Sequence, residues 1–395
     1  MSEARGSAVP AVLALDGGNS KTDVALVAAD GTVLATLRGP GMPTADLDGS
    51  LRVISDLIGL IEQQAGQPGR PAARHICACV ANADLPEEEE QLAKAIRAGG
   101  WSETTTVVND TFAVLRAGLT ADSPNASPGG AGVPWGVAVT CGAGINCVGV
   151  AEDGRVSRYL ALGSISGDWG GGYGLGRAAL WWAIRAEDGR GPATALREAV
   201  PAHFGVPEVA DVAIAIHQGR LTEQDTRGLA PVLLAAAADG DQVARDLVQR
   251  QASEISTMAL VAMRRLGLTG LKTPVVLGGG LLTARDPLLT AAVVDGIGAE
   301  APRAEVTIVD VPPIAGAILL GLDETGLAPA AEQNVRSAYT RLLIDHGSPA
   351  GRRDRVFHAG RVSGVLEPLQ RGQHLRRFGR DHGQRLVVPV GPVAW

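Results

Sequence analysis

The chain has 395 residues, enough for two domains of ordinary size, and its 46% hydrophobic content is enough for a sizeable core and argues against wholesale disorder. Aromatic residues make up only 3%, and the formal charge is −7. This composition argues against a basic nucleic-acid surface and against stacking platforms for bases.

The sequence shows neither a secretory leader nor a membrane span. Residues 1–10 lack an apolar signal core, and no apolar run approaches the ~20 residues of a transmembrane helix. Cysteine spacing shows no CxxC pair and no zinc-ligand pattern, which favours buried free thiols in a reducing compartment. We therefore expect a soluble cytoplasmic protein with no nucleic-acid or membrane partner. The cysteines are Cys77, Cys79, Cys141 and Cys147.

The first predicted elements are three strands around a polar, glycine-rich turn. An apolar strand ends at Asp16, the turn covers residues 17–22, and two further strands are joined by Asp30-Gly31. Such a turn exposes backbone N–H groups, which suits a polyanion. Asp16 would repel phosphate, so we interpret it as a ligand of hydrated Mg²⁺ that bridges to phosphate. An ordinary hairpin with a polar tip gives the same local pattern.

Alternating helices and strands are predicted after the hairpin. Pro86 and the acidic residues behind it predict a helix start, because both are favoured in a first turn. Asp110 falls between a strand end and a helix start, where it is either a helix N-cap or a functional carboxylate. The predicted ranges are a helix over 47–65, a strand over 75–80, a strand over 104–108 and a helix over 112–117.

The opening pattern recurs after a loop rich in Pro and Gly. A strand over 136–140, a small-residue turn over 141–146 and two strands that run to residue 162 repeat the order of the first hairpin. We interpret the two segments as an internal duplication of a phosphate-binding β-hairpin.

The chain from residue 173 to residue 344 is predicted to be mostly helical, and a different segment follows it. Residues 345–395 are rich in Arg and Gly and carry four of the seven histidines without metal-ligand spacing, which predicts a flexible tail or a surface appendage. The predicted elements before it are helices over 173–266, a strand over 273–278, a helix over 286–297, a strand over 306–309, a small-residue helix to Gly326 and a helix over 331–344.

Four polar or glycine-rich strand ends are expected to meet where mixed α/β proteins collect their active sites. Two facing hairpin loops can grip the β- and γ-phosphates of a nucleotide, and a glycine-rich turn can approach its adenosine and α-phosphate. The Walker pattern GxxxxGK[ST] is absent, which excludes a P-loop protein. The four strand ends are Asp16 to Thr22, Asp110, Thr140 to Asn146 and Gly278 to Gly280.

Five motifs, in their order along the chain, resemble those of the acetate-and-sugar-kinase, Hsp70 and actin superfamily. The match is closest to the branch of N-acetylglucosamine kinases, glucosamine kinases and BadF/BadG-type ATPases. The motifs are LALDGGNSKTDVAL (13–26), VVNDTFAVL (107–115), VTCGAGINCVGV (139–150), GDWGGGYGLG (167–176) and VVLGGGL (275–281).

The resemblance implies an α/β fold with two ribonuclease-H-like, actin-like ATPase domains that flank a cleft. Residues 1–118 would form the first domain, with the first phosphate loop and the catalytic Asp. Residues 119–326 would form the second, with the second phosphate loop, and residues 327–395 a C-terminal helix and tail.

The resemblance also implies an ATP-dependent hexosamine kinase that uses Mg²⁺ and phosphorylates a sugar hydroxyl, the 6-hydroxyl by family. Asp110 falls on the catalytic base and Asp16 on the residue that orients the metal, while Asn109, Asn146 and Asp168 fall on sugar-binding positions. A small-molecule sugar is then the expected partner, and the family allows a homodimer. The implied ATP- and phosphate-binding residues are Gly17, Gly18, Asn19, Ser20, Lys21, Thr22, Thr140, Cys141, Gly142, Ala143, Gly144, Gly278, Gly279 and Gly280. For Lys21, the sequence pattern is equally compatible with a solvated charge on the surface.

Two departures from the family pattern lie around the expected sugar site. Residues 40–44 read Pro-Gly-Met-Pro-Thr where relatives often carry an Asn, and Trp169 replaces the Glu of a Gly-Asp-Glu-Gly motif. Both favour glucosamine, whose cationic amino group a carboxylate such as Asp168 would select, over N-acetylglucosamine or N-acetylmuramic acid. Two other functional classes remain open. A partner-activating ATPase is the second class, but such a protein would need exposed cysteines. A sugar-sensing regulator is the third class, but no DNA-reading helix is expected before the first strand.

Overall fold

Two five-stranded sheets, each beginning with an antiparallel hairpin, form the frame of the fold. Strand order in the first sheet is β3-β2-β1-β4-β5, and in the second it is β8-β7-β6-β9-β10, so the topology is repeated. This confirms the predicted duplication of the hairpin. The strands are β1 (Val12–Gly17), β2 (Lys21–Val27), β3 (Val33–Pro40), β4 (Ala73–Val80), β5 (Ser102–Val108), β6 (Gly136–Cys141), β7 (Ile145–Val150), β8 (Val156–Arg158), β9 (Pro274–Gly278) and β10 (Glu305–Ile308).

The computed structural model describes residues 9–347 except 20, 43–45, 67–70, 82, 120–133 and 327, and it describes no side chains for 328–330 and 341–347. Ser20, the last two residues of the departure segment 40–44 (Pro43 and Thr44), and the predicted tail beyond residue 347 therefore lie outside the described residues.

Helices cover much of the remaining described chain, and their ends follow sequence signals. Asp46 caps the first of them by accepting from the N–H of Gly49 at 2.8 Å. Pro86 opens the second, as predicted. The helices are α1 (Leu47–Gln64), α2 (Pro86–Ala98), α3 (Asp110–Gly118), α4 (Gly171–Glu187), α5 (Leu196–Phe204), α6 (Val209–His217), α7 (Ala230–Ala238), α8 (Gln242–Leu266), α9 (Gly280–Thr283), α10 (Pro287–Glu300), α11 (Pro313–Glu324) and α12 (Ala328–Gly347).

The third strand of the second hairpin is shorter than predicted. The sequence pattern predicted a strand to residue 162, but β8 ends at Arg158. Ala161 has a φ of 53°, a left-handed conformation that a strand cannot contain. The prediction was wrong because alternation of apolar residues does not report this local backbone reversal.

The core has a middle layer that joins the two sheets. Helices α3 and α11 contribute Ala113 and Ile318 to it, β1 contributes Val12, and β6 and β9 contribute Ala138 and Val276. Because α3 lies in this layer, its first residue is held at the edge where the strands of both sheets end. All four cysteines are buried and free, as predicted.

Among the described residues, no single helix has the length and hydropathy needed to cross a membrane. Helices α5 and α6 reach that length only as a pair bent by 51°.

Candidate active site

Two carboxylates, Asp16 and Asp110, lie at the same edge of the first sheet. In the parallel ladders Asp16 is aligned with Cys79, and Cys79 with Val108, so the first residue of α3 follows two positions beyond that level. Burial raises the pKa of Asp16 to about 7, assisted by the neighbouring charges of Asp110 and Asp23. Burial also raises the pKa of Asp110 to about 6. The strand register therefore brings together the predicted metal ligand and the predicted base.

Helix capping is done by Asn109 and not by Asp110. The side-chain oxygen of Asn109 accepts from the N–H of Thr111 at 3.1 Å and from its hydroxyl at 2.7 Å. Asp110 is the first residue inside the helix and is only partly buried. The structure thus removes the N-cap explanation for Asp110 and leaves its carboxylate available for chemistry.

The first hairpin loop is closed by backbone hydrogen bonds. Gly18 donates to the carbonyl of Lys21 at 2.9 Å, and its own carbonyl accepts from Met42 at 3.0 Å. The hydroxyl of Thr22 is buried and takes no hydrogen bond from the described residues. Asn19 is exposed at the tip. The loop therefore offers small residues and a buried hydroxyl group that has no partner among the described residues.

The ammonium group of Lys21 turns toward a carboxylate of its own hairpin. Its Nζ lies 2.6 Å from Asp23 Oδ2, and Arg38 binds the same carboxylate through Nε at 2.6 Å and Nη2 at 3.0 Å. Burial would raise the pKa of Asp23, but the hydrogen bonds from Arg38 and Lys21 hold it below its usual value. Lys21 is thus an ion-pair partner in this structure, and a phosphate contact would require it to leave Asp23.

The second hairpin loop is braced by the start of α4. The carbonyls of Gly142 and Ala143 accept from the N–H groups of Gly172 and Tyr173 at 2.8 and 2.9 Å. The hydroxyl of Thr140 is buried and, like that of Thr22, has no hydrogen-bond partner among the described residues. The two threonines therefore present unused hydroxyls, one in each hairpin.

The glycine segment after β9 runs against the second loop. Gly279 has a φ of +86°, and a Cβ there would lie 2.5 Å from the carbonyl carbon and oxygen of Cys141. Thr140 is aligned with Gly278 in the parallel ladder. Only glycine permits this approach, so the segment forms a wall of backbone beside the second phosphate loop.

These features fit a magnesium nucleotide. Small-residue loops, two unused buried hydroxyls and a glycine wall match what a triphosphate needs. No group of three His, Cys, Asp or Glu side chains that could hold a metal occurs in the described part of the chain. A single carboxylate such as Asp16 fits Mg²⁺, which usually keeps several waters and binds through one or two carboxylates together with phosphates.

Two predicted sugar-binding residues meet between the sheets, and the third does not join them. Asn146 on β7 donates to Asn109 Oδ1 at 3.2 Å. Asp168 accepts instead from the hydroxyl of Ser166 at 2.5 Å, in the turn before α4. Trp169 beside it lies under the guanidinium of Arg250, 3.9 Å from the ring centroid.

One charged residue at this edge was not predicted. Asp84, just after β4, accepts from Asn109 Nδ2 at 2.9 Å and from Asn146 Nδ2 at 3.4 Å. Burial raises its pKa to about 7, with added repulsion from Asp110 and Glu88. The available signal was its position, a carboxylate in the short connection after a buried strand that is parallel to the strand of Asp16.

Comparison with known proteins gives the family and the fold. Over 273 residues the chain is 26% identical to the N-acetylmuramic acid/N-acetylglucosamine kinase of Clostridium acetobutylicum, covering 69% of this chain and 85% of the relative. The N-acetyl-D-glucosamine kinase of Dictyostelium discoideum is 27% identical over 199 residues, covering 50% of this chain and 62% of the relative.

A solved structure from Chromobacterium violaceum, whose name provisionally assigns it to the N-acetylglucosamine kinases, superimposes with a TM-score of 0.60 at 24% identity. It covers 80% of this chain and 100% of that one. The expected α/β fold class is confirmed. Residues 13–321 match the model of the BadF/BadG/BcrA/BcrD ATPase family, and the chain belongs to that family.

Proposed function

We propose that this chain is an ATP-dependent hexosamine kinase in which Asp110 is the general base. The observation that carries the proposal is the position of Asp110. It stands at the first residue of α3, relieved of capping by Asn109 and close enough to Asp16 for its charge to raise the pKa of that residue. The names of the two sequence relatives support a sugar as the phosphate acceptor.

The chain would contribute positioning and proton transfer. When bound, ATP would supply the phosphoryl group and Mg²⁺ would neutralise the negative charge of its phosphates. Asp16 would hold the hydrated metal, and the two hairpin loops would hold the phosphates with backbone N–H groups and with the hydroxyls of Thr22 and Thr140. Asp110 would accept the proton of the attacking sugar hydroxyl, the 6-hydroxyl by resemblance, and general-base help of this kind is worth about 10²–10⁴-fold in rate.

Glucosamine is the proposed acceptor, and N-acetylglucosamine or N-acetylmuramic acid is the alternative. Burial and the neighbouring charge of Asp110 raise the pKa of Asp84, and the cationic amino group of glucosamine beside these two residues would favour the ionised form of both carboxylates. The relatives' names favour the acetylated sugars instead. A cytoplasmic location and a homodimer stay predictions.

An ADP-release assay over glucosamine, N-acetylglucosamine, N-acetylmuramic acid, glucose and N-acetylmannosamine tests this proposal. We expect sugar-dependent ADP release with Mg²⁺, highest kcat/KM for glucosamine. A higher value for an acetylated sugar would assign the alternative acceptor. ADP release that no sugar stimulates would contradict the kinase and favour an ATPase that acts on a partner.

A further inference from the structure

Asp84 lies in the short connection between β4 and α2, and its main chain is fixed. Its N–H donates to Glu88 Oε2 at 3.0 Å, and the N–H of Leu85 donates to the same oxygen at 2.9 Å. Its carbonyl accepts from Arg158 Nη2 at 3.2 Å. Both the N–H and the carbonyl of Asp84 are thus hydrogen-bonded, and this fixes the backbone that carries the carboxylate.

The carboxylate contacts residues of both sheets through one oxygen. Asp84 Oδ1 accepts from Asn109, which follows β5, and from Asn146, which lies on β7. Asn146 also donates to Asn109 Oδ1 at 3.2 Å, so the three side chains form a closed triangle.

This triangle and the N–H of Thr111 together fix which way the Asn109 amide faces. An ionised carboxylate only accepts hydrogen bonds, so the ionised form of Asp84 requires the NH₂ group of Asn109 on its side. The amide oxygen is then left to accept from the N–H and hydroxyl of Thr111 at the start of α3. In the reverse orientation an amide oxygen would face the carboxylate and the NH₂ group would face an N–H.

We propose that Asp84 is a positioning residue for phosphoryl transfer, which orients Asn109 and, through it, the first turn of α3 that begins with Asp110. It also ties this turn to Asn146 of the second sheet. The proposal rests on the proposed role of Asp110 as the base. It does not require Asp84 to contact the reacting atoms. A misplacement of about 1 Å is enough to cost about 10²-fold in rate, so a loosened first turn would be visible in kcat.

Two substitutions in the full-length protein test the proposal, with Asp153→Ala in the exposed turn between β7 and β8 as the matched control. Asp84→Ala should lower kcat by about 10–10²-fold and leave the KM for ATP unchanged. Asp84→Asn should restore most of kcat, because its amide oxygen can accept the same two hydrogen bonds. Asp153→Ala should match wild type, and thermal unfolding of each variant should show a folded protein.

Three outcomes would overturn the positioning role alone, provided that wild type is active and Asp110→Asn is not. They are an Asp84→Ala variant with wild-type kcat, an Asp84→Asn variant as slow as Asp84→Ala, and a rise in the sugar KM at unchanged kcat, which would indicate direct substrate contact. A wild-type protein that phosphorylates no sugar would overturn the proposed function and this inference with it.

Discussion

Asp110 combines partial burial with freedom from capping, and this sets its protonation range. Burial raises its pKa from 3.8 to about 6, and the nearby N–H of Thr111 offsets part of the rise. A general base with a pKa slightly below neutral is ionised at pH 7 and still basic enough to accept a proton. The residue is thus matched to work near neutral pH.

The pH dependence of kcat/KM follows from that value. Only ionised Asp110 can accept a proton, so kcat/KM should fall below about pH 6, approaching about tenfold per pH unit. Initial rates between pH 4.5 and 8, with thermal unfolding at each pH as the control, measure this limb. A flat profile down to pH 4.5 in folded protein would contradict Asp110 as the base.

Residues that end strands were predictable, and residues that act through long-range partners were not. Asp16 and Asp110 each follow an apolar run, so a local pattern placed them at a sheet edge. Asp84 stands in a short connection without a glycine motif, and its partners Asn109 and Asn146 are 25 and 62 positions away. The side-chain directions of Lys21 and Asp168 also depend on close neighbours that no periodicity reports.

At the scale of elements, the second phosphate loop and the glycine segment depend on close backbone packing. Gly279 meets Cys141, and Gly171, with a φ of +66°, would place a Cβ 2.5 Å from the carbonyl oxygen of Gly144. Both glycines lie at turns that start helices. The hairpins themselves were predictable from turn residues and alternation, whereas these approaches between distant segments became evident only in the fold.

Gly279→Ala should therefore weaken ATP binding. The positive φ and the overlap with Cys141 force the turn away from β6, and strain of this kind is worth about 1–3 kcal/mol. We expect the KM for ATP to rise by roughly tenfold, since about 1.4 kcal/mol corresponds to tenfold. Gly298→Ala on α10, where a Cβ would meet nothing within 4 Å, is the control. An unchanged KM for ATP in Gly279→Ala would contradict a nucleotide role for this segment.

At the scale of the whole molecule, the last described helices hold the helix that carries Asp110. Arg116 of α3 is buried and binds Asp323 of α11 through Nε at 2.7 Å and Glu332 of α12 through Nη2 at 2.8 Å. Arg336 of α12 donates to the carbonyls of Ala117 at 2.8 Å and of Leu119. The last two described helices thus secure the C-terminal end of α3. The sequence predicted helices α11 and α12 but not their contacts with α3.

Removing Arg116 should destabilise the fold. Arg116→Ala leaves Asp323 and Glu332 without their cation, and breaking a buried pair costs about 3–5 kcal/mol. Both carboxylates keep roughly a quarter of their surface exposed, so we expect about 2–4 kcal/mol in urea unfolding. Arg264→Ala breaks an exposed pair with Glu300 and should cost under about 1 kcal/mol. Equal losses of unfolding free energy in the two variants would contradict a stabilising role for the ion pairs of Arg116.

Asp110 is central to the proposed reaction, and one measurement tests its role directly. The sugar phosphate formed from MgATP and the preferred hexosamine is quantified for wild type and Asp110→Asn at pH 7, with ATP binding checked for both. We predict sugar phosphate in amounts equal to ADP for wild type, and about 10²–10⁴-fold slower formation in the variant with ATP binding retained. Near-wild-type formation by Asp110→Asn, or no sugar phosphate from wild type, would contradict the account.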